Sequence, residues 1–462
     1  MAQSQTNRFG EERVGKLLFQ LAVPAITAQI INALYNIVDR IYIGHIPDIG
    51  ATALTGVGIT FPIILLIAAF SSLIGMGGGP RASIKMGEGD YAGAERIMGN
   101  CFALLLGISV VLTAFFLLFQ RPLLLLFGAS ADSLPYAMQY MTIYVSGTIF
   151  VQLALGLNSF ITTQGFAKTS MFTVIIGAGL NIVLDPVFIF VFQMGVQGAA
   201  VATVLSQAIS SIWVLWFLFG KRTILKLRPK NFRLNHKIVL PVLALGLSPF
   251  IMQATESAVN IVLNSSLQRY GGDTAVGAMT ICSSVMQVAF MPLTGLAQGA
   301  QPIVSFNFGA KQNDRVKKAF HLLFLSSIAF SMLFWLALML FPNAFVRLFT
   351  PEMDLASFTA WALRIYMSMC LVLGVQCSCQ QTFVAIGQAK TSLFLALLRK
   401  VFLLIPLILF LPHFFADKVL GVFLAEPIAD FLAATTTGLI FFIRFRRLLA
   451  KNQTKSTAIE SI

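Results

Sequence analysis

The chain of 462 residues is 57% hydrophobic and only 11% charged, against roughly 45–50% and 25% in soluble domains. This excludes a water-soluble globule and points to an all-α polytopic membrane protein. The formal net charge of +14 suggests nucleic acid, but 24 of the 32 Lys and Arg residues fall in alternate loops, the pattern left by membrane topology and not by a nucleic-acid surface.

Apolar segments of bilayer length run over 15–40, 53–80, 97–119, 136–162, 170–192, 198–219, 238–264, 276–304, 319–341, 358–384, 392–412 and 420–443, which predicts twelve transmembrane helices. The basic loops place both termini and the 221–237 linker on the cytoplasmic side of the cell membrane. The first segment is too long for a signal-peptide core and is expected to remain as the first helix. In it, Gln29, Asn32, Asn36 and Asp39 lie near one helical face. Pro24, one to two turns earlier, removes a backbone hydrogen bond and offers a bend point. The glycine run Gly75 to Gly79 lacks the Gly-Lys-Ser/Thr ending of a phosphate loop, so no nucleotide is expected.

The fifth segment carries Asn181 and Asp185 four residues apart, on one face, among Gly177, Gly179 and Pro186. A carboxylate at such depth costs about 2.5 to 3.5 kcal/mol unless it meets a cavity, a cation or a partner. The helix is thus suited to hold a cation, with Thr203 of the sixth segment as a further oxygen. Seven cations in the 221–237 linker favour anionic lipid headgroups. In the seventh segment Gln253, Glu256, Asn260 and Asn264 form a second polar stripe. Arg399 and Lys400 lie in the eleventh, and Glu426 and Asp430 flank Pro427 in the twelfth. Two readings stand for this group: a carboxylate cluster that binds drug or proton, or pairing of Glu426 or Asp430 with Arg399. The five cysteines all lie within spans, as buried small side chains. A minority of the 42 Phe and 17 Met residues are expected to line a cavity that takes aromatic cations.

Shifted by 222 residues, the sequence matches itself: Gly77, Pro80, Ser83 and Gly87 meet Gly299, Pro302, Ser305 and Gly309, and Gly165-Phe-Ala-Lys-Thr-Ser170 meets Gly387-Gln-Ala-Lys-Thr-Ser392. At a shift of 224, Gln29 and Asn36-Ile37-Val38 meet Gln253 and Asn260-Ile261-Val262; at 223, Gly198 and Ala202 meet Gly421 and Ala425. Each repeat holds an even six spans and enters the membrane in one orientation. The expected architecture is a six-helix lobe over 1–220, a basic linker over 221–237, a second six-helix lobe over 238–446 and a cytoplasmic tail over 447–462. A pseudo-two-fold axis along the membrane normal relates the lobes, with a cavity between them.

The first-helix LAVPAITAQIINALYNIVDRIYIG, the fifth-helix GAGLNIVLDPVFIF and the doubled six-span plan resemble the multidrug and toxic compound extrusion (MATE) family. The resemblance implies an antiporter that exports cationic and aromatic compounds in exchange for Na+ or H+, with no cofactor beyond that coupling ion. By the same resemblance, Asp39, Asn181, Asp185 and Thr203 are similar to the first-lobe cation site of one prokaryotic branch, and Pro24 to the proline at which its first helix bends. Glu256 resembles the seventh-helix acid of another branch's second-lobe site, while the 358–384 segment supplies Arg364 and no acid. A lipid-linked oligosaccharide flippase shares the lobe plan, but its cavity calls for clustered cations. An enzyme is not expected: His45, His236, His321 and His413 all sit near loops or span ends.

Overall fold

The computed structural model describes residues 8–349 and 353–460, with side chains except at 51 and 453–460. Positions 1–7 of the expected first lobe, and 461–462 and the Lys455 side chain of the expected tail, lie outside the described residues. A helical turn at 8–11 leads into α1 (Val14–Gly44), α2 (Gly50–Gly87), α3 (Tyr91–Leu126), a bent α4 (Leu134–Ser146 and Thr148–Thr163), α5 (Ala167–Val191) and α6 (Val196–Phe219). Asp90 caps α3 by accepting from the Gly93 amide at 2.7 Å, and that bond holds its carboxyl below the usual carboxylate range.

Helical bonding then runs without a break over the 74 residues His236–Gly309. At 1.5 Å per residue this is about 110 Å, several times the roughly 30 Å apolar core of a bilayer. Gly272, at φ 64° and ψ −161°, divides it, in a region open to glycine and strained for other residues. Both ends of the stretch reach α2, Val242 against Gly77 and Phe306 against Gly87, so it is an antiparallel pair, α7 (236–271) and α8 (272–309). There follow α9 (Asn313–Leu340), a bent α10 (Met353–Tyr366 and Cys370–Ala385), α11 (Ala389–His413) and α12 (Lys418–Glu460). With α7 and α8 separated and each bent pair counted once, twelve spans form two six-helix lobes. α12 continues as helix into the expected tail. Bulky apolar side chains face outward, Leu118 and Leu126 of α3 for example at 76% and 78% exposure, as lipid-facing helices require.

The lobes meet through glycine, and the contacts obey the repeat. A Cβ added at Gly87 would stand 2.0 Å from the Phe306 carbonyl oxygen, and one at Gly309 2.0 Å from that of Ile84. Ile84 and Phe306 are themselves 222 residues apart. On α7 a Cβ at Gly246 would meet the Leu73 carbonyl at 1.7 Å, and the approach of Gly77 on α2 to the Gly246 amide has as its mate the approach of Gly299 on α8 to Ala22 on α1. Ser83 adds a hydrogen bond to the Pro302 carbonyl at 3.2 Å. Among the described residues, these approaches lie in the half of the molecule that carries the basic loops, which they close.

The two segments that precede α1 and α7 are held by the opposite lobe. Phe9, fully buried, stacks on Phe306 at 5.3 Å, and its carbonyl accepts from Asn307 at 3.1 Å and from Arg315 at 2.7 Å. Arg315 also reaches the Glu12 carbonyl at 2.7 Å. The linker is likewise part of the first lobe and not a free tether: Thr223, Leu225 and Leu227 are buried. Gln164 Oε1 accepts from the Thr223 hydroxyl and the Ile224 and Leu225 amides, each at 2.8 Å. Asn100 binds the Asn231 carbonyl and the Asn235 amide. Gln164→Leu orphans the buried Leu225 amide at about 1–3 kcal/mol and the half-buried Ile224 amide at less. Thermal unfolding of the purified protein should show a clear loss that Gln164→Glu, which keeps the acceptor, largely recovers.

Candidate functional site

α1 brings Asp39 to α5, whose Asn181 and Asp185 are buried, and α6 brings the buried Thr203 to the same point. Asn181 Nδ2 donates to Asp185 Oδ1 at 3.2 Å and to Thr203 Oγ1 at 3.3 Å. The carboxyls of Asp39 and Asp185 are close neighbours where α1 packs against α5. Asp39 Oδ1, Asn181 Oδ1 and Asp185 Oδ2 are buried and meet no donor, whereas buried polar atoms in proteins are nearly always paired. Neither carboxylate is in an ion pair among the described residues; Arg40, next to Asp39, lies over the Phe61 ring at 4.8 Å. The arrangement is a set of hard oxygens with a charge deficit, which suits a small cation or a proton. α5 widens into a π turn over Val187–Val191 directly after Pro186, a distortion frequent at functional sites.

All four cation-site residues anticipated from the sequence thus converge. Two neighbours were missed: Tyr35, close to both carboxyls, and Tyr140, whose hydroxyl approaches Thr203. Tyr35 was readable in principle, one turn before Asp39 on the same stripe. Beside the site lies a cavity of about 40 Å³ lined by Asn32, Tyr35, Asn158, Gly177, Asn181 and Thr203 among others. Asn32 and Asn158 also line a larger cavity of about 340 Å³ at the base of the cleft between lobes, with Gln29, Gln253, Gln298 and Gln301. Gln253 bridges the lobes there by donating to Ser72 at 2.8 Å. Asn36 instead binds its own helix at the Asn32 carbonyl. Asn260 is exposed, and Pro24 is buried inside a continuous α1.

The MatE family model matches residues 24–187 and 249–410, one match in each lobe. The chain belongs to this family. It is similar to the multidrug export protein MepA of Staphylococcus aureus, 24% identical over 97% of this chain and 98% of the relative. In fold it is similar to a MATE transporter crystallised in a bent conformation, with TM-score 0.91 and 24% identity, covering 97% of this chain and 99% of that one. An outward-facing multidrug resistance MATE transporter of the MOP superfamily superposes with TM-score 0.88 at 24% identity, over 96% and 98% of the two chains.

In this MATE chain the lobes share a fold but not a site. By the internal shifts, Asp39, Asn181 and Asp185 correspond to Leu263, Leu403 and Leu407, which pack in the second lobe's apolar core. The second-lobe charges sit elsewhere. Arg399, buried in a π turn over Leu398–Leu404, donates to Asp430 at 2.7 Å and to Glu426 at 3.2 Å. Lys400 Nζ reaches Glu256 Oε2 at 2.9 Å. Of the two readings left open for Glu426 and Asp430, the geometry supports pairing with Arg399. The tenth helix starts earlier than expected and so gains Asp354, which is exposed.

Proposed function

We propose that the chain is a secondary active antiporter of the cell membrane that exports cationic and aromatic compounds in exchange for Na+ or H+. The observation that carries this is the pair of facing carboxyls, Asp39 and Asp185, with unpaired oxygens and no basic partner among the described residues. Two unit charges 4 Å apart repel by about 4 kcal/mol at an effective dielectric of 20, and either ion relieves this. The relatives' names, multidrug export proteins, support small-molecule export. The basic loops support a cytoplasmic location for the glycine-sealed end and both termini, as an outward-facing state requires.

α1 supplies the coupling. Its upper part meets α5 at the ion site, while Ala22 and Ile26 lie against Gly299 and Gly295 of α8. An ion that draws Asp39 toward Asp185 therefore acts on a helix whose other end is part of the seal, with Pro24 between as the bend point. A ligand with different affinity for the two arrangements shifts their populations, and rocking of the lobes alternates access. A flippase for anionic lipid-linked sugars is less well supported: the central cavity lining contains no Lys or Arg, and Arg399 and Lys400 are paired with carboxylates. The test is ethidium transport in reconstituted vesicles under separately imposed sodium and proton gradients. One of the two should drive movement against the ethidium gradient; failure of both overturns the antiport reading.

A further inference from the structure

The internal repeat places the second-lobe charges at specific points of the first. Arg399 and Lys400 correspond to Gly177 and Ala178, Glu256 to Asn32, and Glu426 and Asp430 to Thr203 and Gln207. All five first-lobe residues line the small cavity beside Asp39 and Asp185. Where the first lobe leaves space beside its acids, the second fills the equivalent space with its own cations. Gly177, packed close on Ser210, and Ala178 send no long side chain into that space; Arg399 and Lys400 occupy its mate.

The two cations differ in setting. Arg399 is 5% exposed, carries two carboxylates and lies over Phe290 at 5.6 Å from the ring centroid. Lys400 is nearly as buried, but its partner Glu256 keeps a side chain 48% accessible, one turn along α7 from the cavity-lining Gln253. The Lys400 pair is therefore the wet edge of the cluster. Guanidinium fits planar bidentate pairing, whereas the lysine ammonium is a compact charge on a flexible stem, the closest side-chain imitation of a monovalent ion.

We propose that Lys400 is a tethered counterion that fills, at Glu256, a latent monovalent-cation site of the second lobe, so that ion exchange is confined to the first lobe. The placement of the exchanging site rests on the antiport reading; the occupation of the Glu256 site by Lys400 does not. Without Lys400, Arg399 alone faces three carboxylates, and a free cation or proton is needed at Glu256 in its place.

The test uses full-length purified protein carrying Asp185→Asn, which silences the first-lobe site, with melting temperature read across NaCl against choline chloride and across pH. The parent sets the baseline, with no sodium response and only the pH dependence of its remaining titratable groups. Adding Lys400→Met should create a new dependence, a rise of about 3 °C or more with sodium or with proton activity. Adding Glu256→Gln to that protein should abolish it, and Lys400→Arg in place of Lys400→Met should behave as the parent. If Lys400→Met does not fold, Lys400→Gln is read in the same way. No new dependence, or one that survives Glu256→Gln, overturns the proposal. A sodium response that persists in Asp185→Asn alone counts against the first-lobe reading and leaves the Glu256 comparison intact.

Discussion

Asp185→Asn should abolish ethidium and other dye resistance in a sensitive host, to the level of cells without the transporter, with membrane expression unchanged. The substitution keeps the shape of the side chain and its bond to Asn181, and removes only the charge that a coupling ion answers. Relief of repulsion between facing carboxylates, about 4 kcal/mol at 4 Å and an effective dielectric of 20, is then no longer available to tie ion binding to helix movement. Because a buried, partly unpaired anion is lost, the melting temperature without added ion should hold or rise. Loss of transport with retained stability separates a coupling role from a packing role. Asp39→Asn should do the same, and Thr203→Val, which removes one neutral oxygen, should cost only several-fold. Normal dye efflux from both Asn variants would sink the proposed site.

Gly87→Val and Gly309→Val should each block transport by preventing closure at the basic-loop end. The added Cβ meets a backbone carbonyl oxygen at 2.0 Å in both cases, and backbone cannot swing aside as a side-chain tip does. Overpacking commonly costs about 1–3 kcal/mol, and 3 kcal/mol shifts a two-state ratio by more than about a hundredfold. The open-to-closed balance at this end should therefore reverse. Spin labels at Tyr91→Cys and Lys317→Cys, in a background without native cysteines, should move apart by several Å in both glycine variants. An unchanged distance with normal efflux would show that the seal is not needed for the cycle.

How much of this was readable from the chain depended on whether a feature is periodic or pairwise. The spans were clear because lipid demands unbroken apolar length, and the duplication because Gly87 and Gly309, or Ser83 and Ser305, recur in register. Asp39 and Asp185 were conspicuous because a deep carboxylate is costly. The turn between α7 and α8 left only Gly272 as a trace, since helical bonding continues on both sides. Tyr140 on α4 and Thr203 on α6 come near each other through the packing of separate helices, and no spacing encodes that. The pairing of Lys400 with Glu256 spans 144 residues; the composition of either helix alone gives no partner. The docking of the linker on Gln164 was hidden for a related reason: basic, proline-containing segments look solvent-exposed, yet Leu225 and Leu227 alternate into the protein.

The seating of Phe9 against Asn307, 298 residues away, bears on how the protein is made. Chains emerge amino end first, so this segment leaves the ribosome before its partner exists. Its docking must wait until α8 has been inserted. Through most of synthesis the foot of α1 is therefore unanchored, and the glycine contact of Ala22 with Gly299 is equally out of reach. The foot of α1 is thus among the last parts of the first lobe to be fixed, although the rest of the helix can already pack against α5.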